Sequence, residues 1–480
     1  MANTVETDLC VIGGGSGGLS VAAGAAQMGA RVVLVEKGKM GGDCLNYGCV
    51  PSKALIAAAA AAEGVRHAGR FGVNGHEPAV DFAALRDHLN GVIAAIAPHD
   101  SVARFEGLGV TVIQAAAQFT GPREILAGET RVKARRFVVA SGSSPARPPI
   151  PGLETVPYLT NETVFELAER PAHLIVVGGG PIGAELAQAQ RRLGVRVSLL
   201  EMFKVLGKDD PEVTAFARRQ LVADGVEIHE GIAVKQVAGD GNAIAVTIEE
   251  NGATRTLSGS HLLVAAGRKA NVEGLNLEAA GVTYSPKGIA VDARLRSSNK
   301  RIFAVGDVAV VEGLGGYQFT HLAGYHAGIV IRNALFKLPA KVNYAALPWV
   351  TFTDPEIAHV GLTEAEARAR HGDSVKVLTW PFAENDRAQA ERAAEGLVKV
   401  VVGTRGRILG ASIAGRHAGE LLHPWVLALG QGLKIGALAN MIAPYPTLGE
   451  VSKRAAGSYY TPALFGERTR KIVRFLQWLG

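Results

Sequence analysis

The stretch TDLCVIGGGSGG, Thr7 to Gly18, decides the fold. Its first half, Thr7–Ile12, is a short and mostly apolar run suited to a strand buried in a parallel sheet. Its second half sets Gly13, Gly15 and Gly18 ahead of an Ala-rich segment of helical character. Strand, glycine turn and helix in that order form a dinucleotide fingerprint. Gly13 permits the tight turn, Gly15 lets backbone approach a pyrophosphate, and Gly18 lets helix pack on strand, so that helix amides can hold the anion. The next strand, RVVLVE, ends at Glu36, whose carboxylate is placed to accept hydrogen bonds from a ribose.

Farther along, the same design recurs at LIVVGGGPIGAELA, with Gly178, Gly180 and Gly183, followed by the strand VRVSLLE ending at Glu201. The glycine-to-glutamate offsets agree, since 36 minus 13 and 201 minus 178 both give 23. One such motif is weak; two in matched context imply an α/β chain with two Rossmann-like units that binds two dinucleotides. Glu201 would bond a free 2′-hydroxyl and repel a 2′-phosphate, which favours NADH over NADPH, although Lys204 and Lys208 follow closely and could accommodate a phosphate.

Between the two motifs lies GGDCLNYGCVPSK, Gly41 to Lys53, holding two of the three cysteines, Cys44 and Cys49. A disulfide closing so short a loop would remove little chain entropy, and a zinc site needs further ligands that no nearby residue supplies. The spacing favours a redox pair over either alternative. Two dinucleotide sites and a vicinal thiol pair suggest an electron relay with a flavin between them, because a nicotinamide and a dithiol both move two electrons at a time. Cys10, inside the first apolar strand, reads as a small core residue.

At 480 residues the chain exceeds one domain. Its net charge of +6, from 50 Lys and Arg against 44 Asp and Glu, contains no long run of one sign, so nucleic-acid binding has no support. The start, MANTVETD, lacks the pattern of a secretory signal, and no uncharged apolar run reaches about 18 residues. A soluble cytoplasmic protein is expected. The run Ala57–Ala62 suits a helix interior. In the tail, Ile472, Phe475, Leu476 and Leu479 are assigned to one helical face and Arg468, Lys471 and Arg474 to the other. Such a stripe more often packs on its own protein than on a membrane surface, and packing is the expectation here.

Taken together, these motifs resemble the flavoprotein disulfide reductases, the pyridine nucleotide-disulfide oxidoreductases that include dihydrolipoamide dehydrogenase, glutathione reductase and mercuric reductase. The resemblance spans essentially the whole chain and adds GGDCLNYGCVPSKAL, VASGSSP (Val139–Pro145), VAAGRKAN (Val264–Asn271), IFAVGDVA (Ile302–Ala309) and FTDPEIAHVGLTE (Phe352–Glu364). It implies an FAD enzyme and a homodimer. It further implies an FAD domain at 1–150 and 276–345, an NAD domain at 151–275 and an α+β dimerisation domain at 346–480, with PARPPIPGLE (Pro145–Glu154) as the first crossover. By the same resemblance Cys44 is the interchange thiol and Cys49 the charge-transfer thiol, and a helix dipole behind them favours thiolate. Lys53 and Glu185 form an ion pair near the flavin, and Asp307 binds its ribityl chain. Gly42, Ser141, Gly142, Gly267, Gly306, Thr320 and His321 line the cofactor sites. No resident metal is implied, and His321 and His326 are not base candidates.

One motif departs from the family. Where dihydrolipoamide dehydrogenase and glutathione reductase resemble each other in a His-Pro followed by an orienting glutamate, this chain reads APYPTLGE, Ala443 to Glu450. Glu450 is kept and Tyr445 replaces the histidine, with a cis bond before Pro446 expected by analogy. A phenol with pKa near 10 does not serve as a base at neutral pH, though it can donate a hydrogen bond; a space-filling role is the alternative. Mercuric reductase resembles the chain in this tyrosine, yet its C-terminal cysteine pair has no counterpart in RKIVRFLQWLG. The reading is therefore a mercuric-reductase-like enzyme that passes electrons from NADH through FAD to Cys44/Cys49 and on to a disulfide or thiol-reactive acceptor. Dihydrolipoamide dehydrogenase is the alternative within this chemistry. A flavin-bound redox sensor or electron-transfer partner is the alternative of another class, and an NADH oxidase, which would leave the thiols idle, is weaker. If the family's dimer holds, Tyr445 and Glu450 act on the partner subunit's Cys44.

Overall fold

The structure, a computed structural model, describes residues 3–239 and 243–479. It divides into two compact units: one holds the chain up to Gly179 with Ala189–Met202 and Gly231–Val342, the other Gly180–Gln188, Phe203–Glu230 and the chain from Asn343.

In the first unit β1 (Thr4–Ile12) is followed by α1 (Ser16–Gln27), β2 (Val32–Glu36), α2 (Gly42–Asn46), α3 (Cys49–Arg66), α4 (Phe82–Ile96) and α5 (Val102–Gly107). Then come β3 (Val110–Gln114), β4 (Ala117–Gly121), β5 (Glu124–Ala127) and β6 (Thr130–Val139). The sheet order is β3-β2-β1-β6-β5-β4, with β2 and β6 both parallel to β1. Leu9, Cys10, Val11 and Ile12 are all buried, as a strand covered on both faces requires, and Cys10 is a core residue whose thiol burial pushes far up. β1 starts three residues before the expected Thr7, because backbone pairing of Thr4, Val5 and Glu6 with Arg131, Val132 and Lys133 extends the ladder past the continuous apolar run. The Ala run lies inside α3, as expected.

Chain order continues with β7 (Ser143–Pro145), β8 (His173–Val177), α6 (Pro181–Arg192), β9 (Arg196–Glu201), α7 (Pro211–Ala223), β10 (Glu227–Glu230), β11 (Ala233–Gly239), β12 (Ile244–Glu250), β13 (Ala253–Gly259), β14 (His261–Val264) and β15 (Arg268–Ala270). β9, β8 and β14 are parallel neighbours, and β11, β12 and β13 form an antiparallel meander. Ile175, Val177, Val246 and Leu262 share one core between these two sheets. After β16 (Tyr284–Ser285) and β17 (Gly288–Val291), β18 (Ile302–Ala304) returns to pair in parallel with Phe137–Val139 of β6. β19 (Ala309–Val311) and α8 (Thr320–Ala334) complete the unit.

The second unit is built on the antiparallel sheet β20-β21-β24-β23-β22. Besides α7 and β10, its elements are β20 (Pro348–Thr351), β21 (Glu356–Gly361), α9 (Glu364–His371), β22 (Lys376–Pro381), α10 (Asp386–Ala390), β23 (Leu397–Val402) and β24 (Ile408–Gly415), then α11 (Ala418–Leu421), α12 (His423–Gly430), α13 (Ile435–Ala439) and α14 (Glu450–Ser458). Val398, Val400 and Ile413 face Trp425, Leu438 and Ala455 in one core. Lys399 points the other way by strand alternation and is buried against Asp210, Glu212 and Glu364, each 2.8–2.9 Å away.

The chain closes with α15 (Thr461–Leu464) and α16 (Glu467–Trp478). Here the expectation fails, because α16 buries none of its residues. Amphipathic spacing is the same whether a stripe meets its own core or another surface, so periodicity could not separate the two. Facing is also corrected: Arg468 precedes Ile472 by four residues and Phe475 by seven and so falls on the apolar side, while Arg470 joins Arg474 on the polar side. Among the described residues no helix is long and apolar enough to cross a membrane.

Candidate active site

The first glycine loop has the geometry its sequence implies. A Cβ on Gly18 would lie 1.9 Å from the Gly13 carbonyl oxygen, and Gly13 itself holds φ +112°. Gly15 is different: its backbone is extended, at φ −89° and ψ −175°, and an added Cβ would meet nothing closer than Gly42 Cα at 3.7 Å. The fold's own packing therefore gives no reason for glycine at 15. Close approach of a phosphate does, and Gly180 is equally uncrowded in the second loop. These residues fit a dinucleotide at each loop. Glu36 accepts from the amides of Gly14 and Gly38, and Glu201 accepts from Gly179 N at 2.7 Å, so each carboxylate braces its loop.

The thiols lie on two successive helices, Cys44 within α2 and Cys49 at the first position of α3. They are unbonded to each other, with Cys49 exposed and Cys44 partly buried. Thr320, the first residue of α8, places Oγ1 3.4 Å from Cys49 Sγ, so the starts of two helices meet at one sulfur. The Cys44 thiol donates to Cys49; this bond above all, helped by Thr320 and the charge of Lys53, lowers Cys49 to about 6. Cys44, whose proton serves that bond, is held well above the ordinary thiol range. The pair is thus arranged as one thiol and one thiolate. Lys53 stands one turn along α3 from Cys49.

Asp43 clamps this loop. It accepts from Asn161 Nδ2 at 3.2 Å and pairs with Arg268 at 3.2 Å. Arg268 also donates to Ser143 Oγ at 2.7 Å, and Ser143 in turn donates to Asp307 at 2.6 Å. Burial raises the Asp307 carboxyl, the Ser143 bond opposing it. Ser141 Oγ donates to Asn271 O, and Asn271 Nδ2 returns a bond to Ser141 O, joining the ends of β7 and β15, with Gly142 and Gly267 at positive φ beside them. Gly306 N donates to His326 Nδ1, and burial lowers that imidazole to about 4, so it stays a neutral acceptor. His321 stacks on Phe319 at 5.2 Å between centroids. Sequence reading missed Asp43, Asn161, Ser143, Arg268 and Asn271 as linkers. Four of them sat inside the quoted motifs, where only their position invited notice; Asn161 had no signal.

In the second unit Tyr445 precedes a cis peptide bond to Pro446, as expected, and is 71 % exposed. Its hydroxyl donates to Asp386 Oδ2 at 2.9 Å, and that carboxylate raises the phenol further. Buried Asn385, beside Asp386, donates to Thr447 O at 3.0 Å and fixes the turn. Glu450 opens α14, half-buried. Glu185, on α6, accepts from Phe352 N at 2.9 Å.

Two glycine-loop folds, a thiol–thiolate pair and an aspartate wired to it define a flavin-dependent dithiol oxidoreductase. The chain belongs to the pyridine nucleotide-disulphide oxidoreductase family, whose model matches residues 7–327, with the family's dimerisation domain at residues 347–456. It is 38% identical over 464 residues to a mercuric reductase of Streptomyces lividans, covering 94% of this chain and 96% of that protein. It is 34% identical to a dihydrolipoyl dehydrogenase of Geobacillus stearothermophilus, with 94% and 96% covered. Among solved structures it is similar to the Cu(II) complex of the HOCl-induced flavoprotein disulfide reductase RclA from Escherichia coli. That match has a TM-score of 0.84 and 26% identity, covering 95% of this chain and 99% of that one. As a member of the family the chain is an oxidoreductase that uses FAD and a pyridine nucleotide.

Proposed function

We propose that the chain takes hydride from NADH and delivers its electrons through Cys44 and Cys49 to a thiophilic acceptor, a soft metal ion ahead of a dithiol. The single observation behind this choice is Tyr445, a phenol raised by Asp386 and committed as donor to it, at the sequence position where the dithiol reductases it resembles carry a histidine base. FAD, when bound, supplies the two-electron link between nicotinamide and sulfur. Hydride added to the Cys44–Cys49 disulfide gives one thiol and one thiolate, which is the protonation the pair's hydrogen bond favours. The thiol–thiolate pair closing again to the disulfide gives two electrons to the acceptor and releases the one remaining proton, and soft sulfur suits a soft cation. The Cu(II) held by RclA and the mercuric reductase relative support this acceptor class.

In this reading Cys49 faces FAD and Cys44 meets the acceptor. Lys53 and Glu185 serve the flavin ring, and Asp307, Gly306, Thr320 and His321 border the flavin. Gly178, Gly180, Gly183 and Glu201 hold NADH in preference to NADPH. The FAD domain is 1–150 with 276–345, the NAD domain 151–275 and the interface domain 346–480. The working form is a homodimer in which Tyr445 and Glu450 serve the partner subunit's Cys44, and it operates in the cytoplasm. The second reading, dihydrolipoamide dehydrogenase, rests on the dihydrolipoyl dehydrogenase relatives.

Anaerobic NADH oxidation by the FAD-loaded enzyme, with lipoamide and with Hg(II) or Cu(II) as acceptors, separates the two. The proposal expects metal-dependent turnover that disappears in Cys44→Ala, with lipoamide turnover at least tenfold slower. Fast lipoamide turnover lost in Cys44→Ala would replace it with the second reading. Flavin reduced by NADH without turnover on any acceptor would favour the redox sensor.

A further inference from the structure

α16 is a 12-residue helix whose Ile472, Val473, Phe475 and Leu476, with Leu479 just past its end, line one side, each 46–60 % exposed. A helix of that length is marginal in water by itself, and it gains stability only by laying an apolar face on something. It starts 11 residues past the end of the matched dimerisation domain, 467 against 456. Its opposite side carries Arg470 and Arg474, Lys471 sits at the boundary, and Arg468 falls on the apolar side in the first turn of the helix, where a long side chain can reach out of an apolar layer to water. Trp478 at the far end is 80 % exposed and tilts beside Phe475, with centroids 6.5 Å apart.

We infer that α16 lies in the plane of an anionic membrane surface, with its apolar side among the acyl chains and its cations at the lipid phosphates. Charge decides the occupant. A second copy would bring an equally cationic helix alongside this one, whereas an anionic bilayer satisfies both sides of the helix at once. The helix binds peripherally and reversibly, with the bulk of the chain in water.

The test is co-sedimentation of the FAD-loaded, full-length enzyme with vesicles. One preparation is phosphatidylcholine mixed with phosphatidylglycerol, the other phosphatidylcholine alone. Each cation near an anionic surface is worth about fivefold in partitioning, so Arg470, Lys471 and Arg474 together predict binding to the anionic vesicles about a hundredfold stronger. The double variant Phe475→Glu, Leu476→Glu, changed only at exposed positions, is expected to lose binding, as is Arg470→Glu, Lys471→Glu, Arg474→Glu with its apolar side intact. Both should keep NADH-driven turnover and the native molar mass. No binding to anionic vesicles, equal binding to neutral ones, or binding that survives either variant overturns the inference. A change in molar mass in the Phe475→Glu, Leu476→Glu variant assigns the face to a second copy and overturns it as well.

Discussion

Thr320 is expected to set the ionisation of Cys49, and replacing it with valine should move that ionisation by a measurable amount. The experiment is cleanest in a Cys44→Ser background, where the serine hydroxyl can still donate and Cys49 is left as the accessible thiol, Cys10 being buried. Cys49 ionises at about 6, and the Thr320 hydroxyl at 3.4 Å is one cause. A hydrogen bond to a charged acceptor contributes about 1.5–3 kcal/mol; at 1.36 kcal/mol per pKa unit, its lower end gives a rise of about one unit on losing Thr320. At pH 6 the thiolate fraction then falls from about one-half to about one-tenth, while the more basic thiolate is intrinsically about threefold more nucleophilic. Alkylation by iodoacetamide should accordingly be about twofold slower than in the Cys44→Ser parent at pH 6 and about threefold faster at pH 9, so the two pH profiles cross. A Thr320→Val profile that overlays the parent's, or shifts to lower pH, would refute the assignment of Thr320 as a donor to the thiolate.

Gly18→Ala should force the Gly13 carbonyl away from an added Cβ that would lie 1.9 Å from it, costing about 1–3 kcal/mol or more and lowering the flavin-to-protein ratio; full flavin content with an unchanged melting temperature would refute this. Lys399→Met leaves Asp210, Glu212 and Glu364 without their shared cation, and a loss of about 3–5 kcal/mol is expected in urea unfolding; a loss under about 1 kcal/mol would mean the cluster is hydrated. Glu201→Ala should reduce the ratio of kcat/KM for NADH over NADPH by about tenfold, the worth of one charge-assisted hydrogen bond, and an unchanged ratio would locate the discrimination elsewhere.

Much of this was legible in the chain before any coordinates. The glycine at 18 could be read because backbone sits where a side chain would go, and such a constraint writes itself into sequence at a fixed offset. Cys44 and Cys49 were legible for a similar reason, since both belong to one short local loop. The Asp43–Arg268–Ser143–Asp307 chain was not, because its members come from four segments and nothing local marks a side chain for a partner 225 residues away, the separation of 43 and 268. Asp386 was equally hidden as the acceptor for Tyr445, 59 positions distant. The tail was misjudged on different grounds: spacing reveals that a helix has an apolar side and says nothing about what meets it.

The pairing of β18 with β6 bears on how the chain is made. Phe137, Val138 and Val139 leave the ribosome well before their neighbours Ile302, Phe303 and Ala304, and at about 5–20 residues per second the 163 residues from 140 to 302 take roughly 8–33 s to synthesise. Throughout that interval the growing chain carries an open strand edge of three apolar residues, a ready template for another nascent chain. Translation speed across residues 140–301 therefore sets how long the protein is exposed to misassembly, and a slow stretch of message there would lower its yield without altering a single contact of the finished fold.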